Sequence, residues 1–170
     1  MDMEVIDNFL PEYQFKQISN VILSYSFPWY WNDGVISGDG DVNNPMSYQF
    51  THRIFDLHEG GILSDYYSLF DIIQQRLGVK NLLRIKENLN PRTVFHRKTG
   101  YHTDLSRLNS HHQTAVYYIN TNNGWTEFKK GGKVKSVANR IVIFDSNLEH
   151  TGVTCTDEKR RVVINFNYDV

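Results

Sequence analysis

The sequence predicts an α+β chain, with two amphipathic helices in the first half and antiparallel sheet in the second. Three observations carry this reading. Apolar residues recur at helical spacing as far as Leu77. From Leu82 the period changes to two, so that Arg84, Lys86 and Asn88 alternate with Leu83, Ile85 and Glu87. The later segments are short, β-branched and aromatic, and turn residues such as Asn122-Asn123-Gly124 and Gly131-Gly132 separate them.

The first helix is expected around Phe15, Ile18, Ile22 and Tyr25, with Pro11 suited to its first turn. From Phe27 to Phe50 the chain is rich in Gly, Asn and Asp and carries Trp29, Tyr30 and Trp31. Turn signals stand at 33–34, 39–40 and 44–45. A long aromatic loop in a compact domain is more often functional than idle. The second helix carries Tyr66, Phe70, Ile73 and Leu77 on one face and ends at Gly78. Further strands are expected at 115–120, 140–144 and 161–168.

The 170 residues fit one domain spanning 1–170, with 1–80 as helical and loop support and 82–170 as the core. Net charge is −1, which steers the chain toward neither nucleic acid nor an anionic membrane. The single cysteine, Cys155, excludes an internal disulfide framework and a Cys-rich zinc site. No apolar run approaches the roughly 20 residues that span a bilayer. Met1-Asp2-Met3-Glu4 is unlike a secretory signal. A soluble cytoplasmic protein is expected.

Chemistry concentrates in Gly100-Tyr101-His102-Thr103-Asp104. On an extended segment His102 and Asp104 leave the same face, because alternate residues do. A third ligand is expected at His150, just after the apolar strand 141–144. Two imidazoles and one carboxylate on one face of an octahedral metal leave three positions open, as non-haem Fe(II) oxygenases require. A His-x-Asp pair alone is common, and His52, His58, His96, His111 and His112 are read as surface or loop.

Eleven residues beyond His150, Arg160 and Arg161 open a strand, and their side chains must take opposite faces. Arg161 shares its face with Val163 and Asn165. An inward arginine beside a metal can grip a dicarboxylate through its planar fork. Arginines more often face solvent, so the pair by itself leaves both readings open.

Together these residues resemble the 2-oxoglutarate/Fe(II) dioxygenase superfamily in its prolyl-4-hydroxylase-like branch. The resemblance rests on five motifs in order: His102-Thr103-Asp104, Tyr117-Tyr118-Ile119-Asn120, Gly124-Trp125-Thr126-Glu127-Phe128, His150, and Arg161 leading Val-Val-Ile-Asn-Phe. Ile6-Asp7-Asn8-Phe9-Leu10 before a helix is similar to the usual family entry. The whole chain resembles small members common in marine bacteriophages, which would place it in a host cytoplasm. Trp125 replaces the second glycine of the family turn, and that turn is assigned no role.

The resemblance implies a double-stranded β-helix, a jelly-roll of two facing sheets with helices outside one of them. It implies Fe(II) held by His102, Asp104 and His150, with 2-oxoglutarate and O2 as co-substrates. The far carboxylate of 2-oxoglutarate would pair with Arg161 (Arg160 if the register slips by one), helped by the Tyr118 hydroxyl and Asn165. The expected reaction hydroxylates a substrate C–H bond and releases succinate and CO2. Trp29 and Trp31, with the chain onward to Pro45, would close over the substrate or serve as packing. A prolyl or other peptidyl substrate leads by analogy, and a small molecule is the alternative. A nucleic acid is disfavoured by the near-zero charge. The competing class is a cupin-like module that binds zinc or manganese, or another ligand, without redox chemistry.

Overall fold

The computed structural model describes residues 3–34, 48–104 and 112–170. In chain order the elements are β1 (Met3–Ile6), α1 (Glu12–Ile22), β2 (Tyr30–Asn32), β3 (Gln49–Asp56), β4 (Gly61–Ile62), α2 (Asp71–Leu77) and β5 (Asn81–Pro91). They continue with β6 (Gln113–Tyr118), β7 (Trp125–Phe128), β8 (Lys133–Lys135), β9 (Arg140–Asp145), β10 (His150–Val153) and β11 (Arg160–Asp169). Short 3-10 helices, Leu57–Glu59 and Tyr67–Phe70, precede β4 and α2.

The helices form where apolar spacing and end signals agree. Along α1, Phe15, Ile18 and Ile22 face inward, and Pro11 caps the start with extended backbone (φ −51°, ψ 140°). The helix stops at Ile22, and Tyr25, expected on its apolar face, is fully exposed. Gly78 closes α2 at φ +67°, a left-handed conformation that costs glycine little.

Two antiparallel sheets face each other. The larger runs β1-β9-β6-β11-β5-β3-β2, with β4 beside β3. The smaller runs β10-β7-β8, and the segment before Asp104 extends it through bridges Lys98–Val153 and His102–His150. Alternation gives each strand of the larger sheet two apolar layers. Its outer face, with Ile85, Tyr117, Ile141, Ile164 and Phe166, packs under α1 and α2 residues such as Ile18, Ile22 and Ile73. Its inner face, with Val116, Tyr118, Val142, Phe144 and Val163, packs against Phe128 and Val134 of the smaller sheet. Each such fully buried side chain contributes roughly 1.5–3 kcal/mol relative to exposure. The result is an unclosed double-stranded β-helix with its helices packed on one sheet.

Two features depart from the sequence reading. Strands β1, β2 and β3 come from the N-terminal third, which was expected to supply helix and loop. Strands of three or four residues such as β1 and β2 are too short to show a period, and β1 exists because Met3–Ile6 pairs with β9. His52 and His112 are buried rather than on the surface. Most of the loop expected to act as a lid (35–47), together with His111, lies outside the described residues. Among the described residues no helix is long and apolar enough to cross a membrane.

Candidate metal centre

His102 sits on the segment bridged to β10, and His150 opens β10 itself. Their main chains exchange two hydrogen bonds, His102 N to His150 O at 3.0 Å and His150 N to His102 O at 2.9 Å. That narrow antiparallel pair sets the two rings 4.7 Å apart, centroid to centroid. Asp104, two residues on, brings a carboxylate oxygen to 3.7 Å from His102 Nε2. One ligand atom from each of His102, Asp104 and His150 lies within 4.8 Å of the others, the spacing of a divalent-metal cluster.

The surroundings prepare each group to ligate. His102 Nδ1 lies 3.2 Å from the Gly100 carbonyl and His150 Nδ1 lies 2.9 Å from that of Leu148. A carbonyl can only accept, so each Nδ1 carries the proton and each Nε2 keeps its lone pair for a metal. Burial, reinforced by the neighbouring imidazole of His150, lowers the pKa of His102 and keeps it neutral. Burial alone would push the Asp104 carboxyl up. Arg84, the two imidazoles and the Asn167 amide outweigh it and hold Asp104 at about 2. Arg84 Nη2 is 3.3 Å from Asp104 Oδ1, while Thr114 Oγ1 (3.2 Å) and Asn167 Nδ2 (3.0 Å) donate to Oδ2. Arg84 Nε also donates to Asn167 Oδ1 at 2.9 Å, so one network from β5, β6 and β11 aims the carboxylate.

The two arginines separate as the strand period requires. Arg160 points outward and donates to the Leu23 carbonyl after α1. Arg161 points into the roll and is 2% exposed. Its Nε donates to Ser136 Oγ (3.0 Å) and its Nη2 to Thr126 Oγ1 (3.1 Å), which also accepts from the Tyr118 hydroxyl (2.7 Å). The guanidinium stands 5.7 Å from the Tyr118 ring centroid. Among the described residues no carboxylate pairs with it. A Cβ on Gly152, two residues along β10 from His150, would lie 3.5 Å from Arg161 Nη1. The cation therefore lies about 7 Å along that strand from the His150 position. At Gly124 a Cβ would come within 2.9 Å of Arg161 Cδ and 2.7 Å of the Val153 carbonyl, so only glycine fits beside the arginine.

Asn165 shares the inner face of β11 with Arg161 and Asn167, and its buried Oδ1 has no hydrogen-bond partner. Asn167, noted in the sequence for polar contacts to a co-substrate, instead bonds Asp104. Trp29 is partly buried against Phe27 (5.3 Å), whereas Trp31 is exposed and stacked on Tyr48 (4.8 Å, 18°). The site also draws in Arg84, Thr114 and Glu127, which the sequence reading did not single out. Alternation alone would have put Arg84 on the inner face of β5. Nothing in the sequence pairs it with Asp104. Glu127 accepts from Lys98, Tyr101 and Trp125, tying the His102 segment to β7, and these donors hold its carboxyl at about 2. Trp125, at the non-glycine position of the turn, also packs against His96, ring centroids 4.7 Å apart and tilted by 56°.

The chain matches no protein-family model and no curated protein sequence. It does superpose on solved structures along nearly its whole length. With the prolyl-4-hydroxylase of Pseudomonas putida the TM-score is 0.65 at 15% identity, covering 99% of this chain and 92% of the other. With a 2OG-Fe(II) oxygenase family protein of Burkholderia pseudomallei it is 0.61 at 11%, covering 98% and 84%. With the Trichoplax adhaerens prolyl hydroxylase, solved with a hypoxia inducible factor peptide fragment, it is 0.63 at 17%, covering 98% and 83%. The chain thus has the double-stranded β-helix fold of prolyl-4-hydroxylases and 2-oxoglutarate/Fe(II) oxygenases, and inside that fold it gathers a His–Asp–His cluster able to hold a metal.

Proposed function

We propose that the protein is an Fe(II)- and 2-oxoglutarate-dependent dioxygenase that hydroxylates a substrate C–H bond, with a peptide as the substrate. The observation that carries the co-substrate is Arg161. A buried guanidinium without an acid partner is costly unless an anion arrives, and this one stands beside the strand that carries His150. The donor set fits iron. Two Nε2 lone pairs and an ionised carboxylate occupy one side of a metal and leave the other side free.

His102, Asp104 and His150 would hold the metal, with Arg84, Thr114 and Asn167 keeping the carboxylate aimed. Arg161 would pair with the far carboxylate of 2-oxoglutarate. Thr126 and Ser136 hold its fork in place, and burial keeps the Tyr118 phenol protonated as a nearby donor. Iron with 2-oxoglutarate and O2 supplies the oxidant, leaving succinate and CO2. Phe128, Phe144 and Val163 form an apolar wall that excludes water beside the cluster, and the Phe144 ring lies 4.8 Å from that of His150. The peptide assignment draws on prolyl hydroxylases among the structural neighbours, one of them solved with a peptide.

The test is an anaerobic titration of 2-oxoglutarate into Fe(II)-loaded protein, reading the weak visible band of a chelated keto acid near roughly 500 nm. The band is expected in the native chain and absent from His102→Ala and His150→Ala. Arg161→Ala should retain metal and weaken 2-oxoglutarate by about 100-fold, the cost of removing one partner of a buried charged pair. A metal-loaded protein without the band, or an Arg161→Ala variant with native affinity, would leave the cupin-like reading instead.

A further inference from the structure

The inner face of β5 carries a cation that the metal network does not use. Lys86 lies on the same face as Arg84 and Asn88, opposite the core-facing Ile85 and Glu87. Its neighbours across the ladder are Arg53 of β3 and Asn165 of β11. Each flanking guanidinium already has an acid: Arg53 pairs with Glu59, and Arg84 with Asp104. Lys86 has no hydrogen bond or ion pair among the described residues. Burial, Arg84 and Arg53 bring its pKa to about 8, against the pull of Asp104. Beside it, the Asn165 carbonyl oxygen is buried without a donor. A partly buried ammonium between two committed guanidiniums is poorly solvated, and a strong acceptor brought to it would relieve that cost.

The location narrows what that acceptor is. Lys86 is two residues from Arg84 and Asn165 is two from Asn167, and both of those partners touch Asp104. The Lys86 and Asn165 positions are therefore about 7 Å along their strands from Arg84 and Asn167, the residues that hold the Asp104 carboxylate. Arg161 stands on the same inner face four residues from Asn165, beside the smaller sheet, so the co-substrate's far carboxylate has its own cation. We propose that Lys86 binds a carboxylate on the substrate and selects acidic substrates for the site. This rests on the oxygenase reading above and deepens it: the peptide or small molecule carries an acidic group one side-chain length from the bond that is oxidised.

The test uses protein loaded with zinc, which binds the triad without turnover, and saturated with 2-oxoglutarate. Acetate, acetyl-glutamate amide and the neutral acetyl-glutamine amide are titrated in while the lysine Nζ resonances are followed by NMR. The two carboxylates should shift the Lys86 resonance saturably, with the glutamine probe at least tenfold weaker. In Lys86→Met binding of the carboxylate probes should be lost, with 2-oxoglutarate affinity within about twofold of native. Equal responses to the glutamate and glutamine probes, or equal shifts at exposed lysines such as Lys129, would overturn the proposal. So would a tenfold loss of 2-oxoglutarate affinity in Lys86→Met, because the ammonium would then serve the co-substrate. If native protein failed to bind 2-oxoglutarate at all, the oxygenase reading would fall, whereas 2-oxoglutarate binding without carboxylate selection would sink only the role of Lys86.

Discussion

Asp104 shows how much of a candidate ligand's behaviour is decided by residues outside the His–Asp–His cluster. Its side chain is 4% exposed, a position in which a lone carboxyl would keep its proton. Arg84, the two imidazoles and Asn167 reverse that preference, and Arg84, Thr114 and Asn167 fix the direction of the oxygens. Asn167 is the hinge of the network, since its amide nitrogen donates to Asp104 while its oxygen accepts from Arg84. Asn167→Leu should lower metal affinity about 10–100-fold, the usual cost of losing a partner that orients a ligand. Competition against a chelating dye measures this, and an unchanged affinity would mean that Arg84 and Thr114 suffice to aim the carboxylate. The same scale explains why the arginine pair was only half legible. The period of two put Arg160 and Arg161 on opposite faces, but which face was inner depended on the Thr126 and Ser136 hydroxyls waiting 35 and 25 residues upstream.

At the level of elements, His102 is carried by a segment held through two isolated bridges rather than a continuous ladder. Glu127 compensates by gathering Lys98 and Tyr101 of that segment and Trp125 of its own strand. Glu127→Ala should free the segment without unfolding the sheets. Amide exchange at Thr99 and His102 should speed up by about tenfold or more, metal binding should weaken, and global stability should change little. Native protection in the variant would assign the ordering to the bridges alone. The helices behave differently, because their apolar stripes are buried on the outer face of the larger sheet. Ile18→Ala in α1 should cost about 2–5 kcal/mol in urea unfolding. The stripe of α1 was readable from spacing. Its end at Ile22 was not, because Tyr25 continues the period and only the chain's turn toward β2 removes it.

For the whole molecule, the outer core contains one cost as well as its apolar gains. Glu87 is fully buried beside His52 (Nδ1 to Oε2, 3.8 Å), whose ring packs against Phe27, Tyr30 and Tyr66, and neither carboxyl oxygen is hydrogen-bonded. Burial raises its pKa well above the ordinary value and lowers that of His52, so both are neutral. The sign follows directly. Below the ordinary carboxyl value both folded and unfolded chains hold the proton, and Glu87 costs nothing. As pH rises the unfolded chain ionises while the folded one cannot, and stability falls by about 1.4 kcal/mol per pH unit until the raised folded value is reached. Glu87→Gln removes that slope. Its melting temperature should match the native protein near pH 4 and exceed it by several degrees at pH 7–8, and a constant difference across pH would refute the assignment. Manganese and 2-oxoglutarate together, at about 100 times their dissociation constants, should add about 2.7 kcal/mol per bound ligand to stability. In Arg161→Ala the 2-oxoglutarate increment should fall to about 0.4 kcal/mol while that of the metal remains.

The sequence by itself determined the elements whose pattern is long enough to register: two amphipathic stripes, the strands β5, β6, β9 and β11, and the order along the chain of the three residues that cluster, His102, Asp104 and His150. It also determined the parity that separates Arg160 from Arg161, because alternation on a strand is a local property. Only the tertiary structure decided which N-terminal segments became strands, because Met3–Ile6 and Tyr30–Asn32 owe their form to β9 and β3 rather than to their own composition. It alone joined Arg84 to Asn167 across 83 residues and set Lys86, without a partner among the described residues, between two satisfied arginines. A side chain's charge and face can be read locally. Its partner depends on which strands become neighbours, and that is settled by burying both faces of the larger sheet at once.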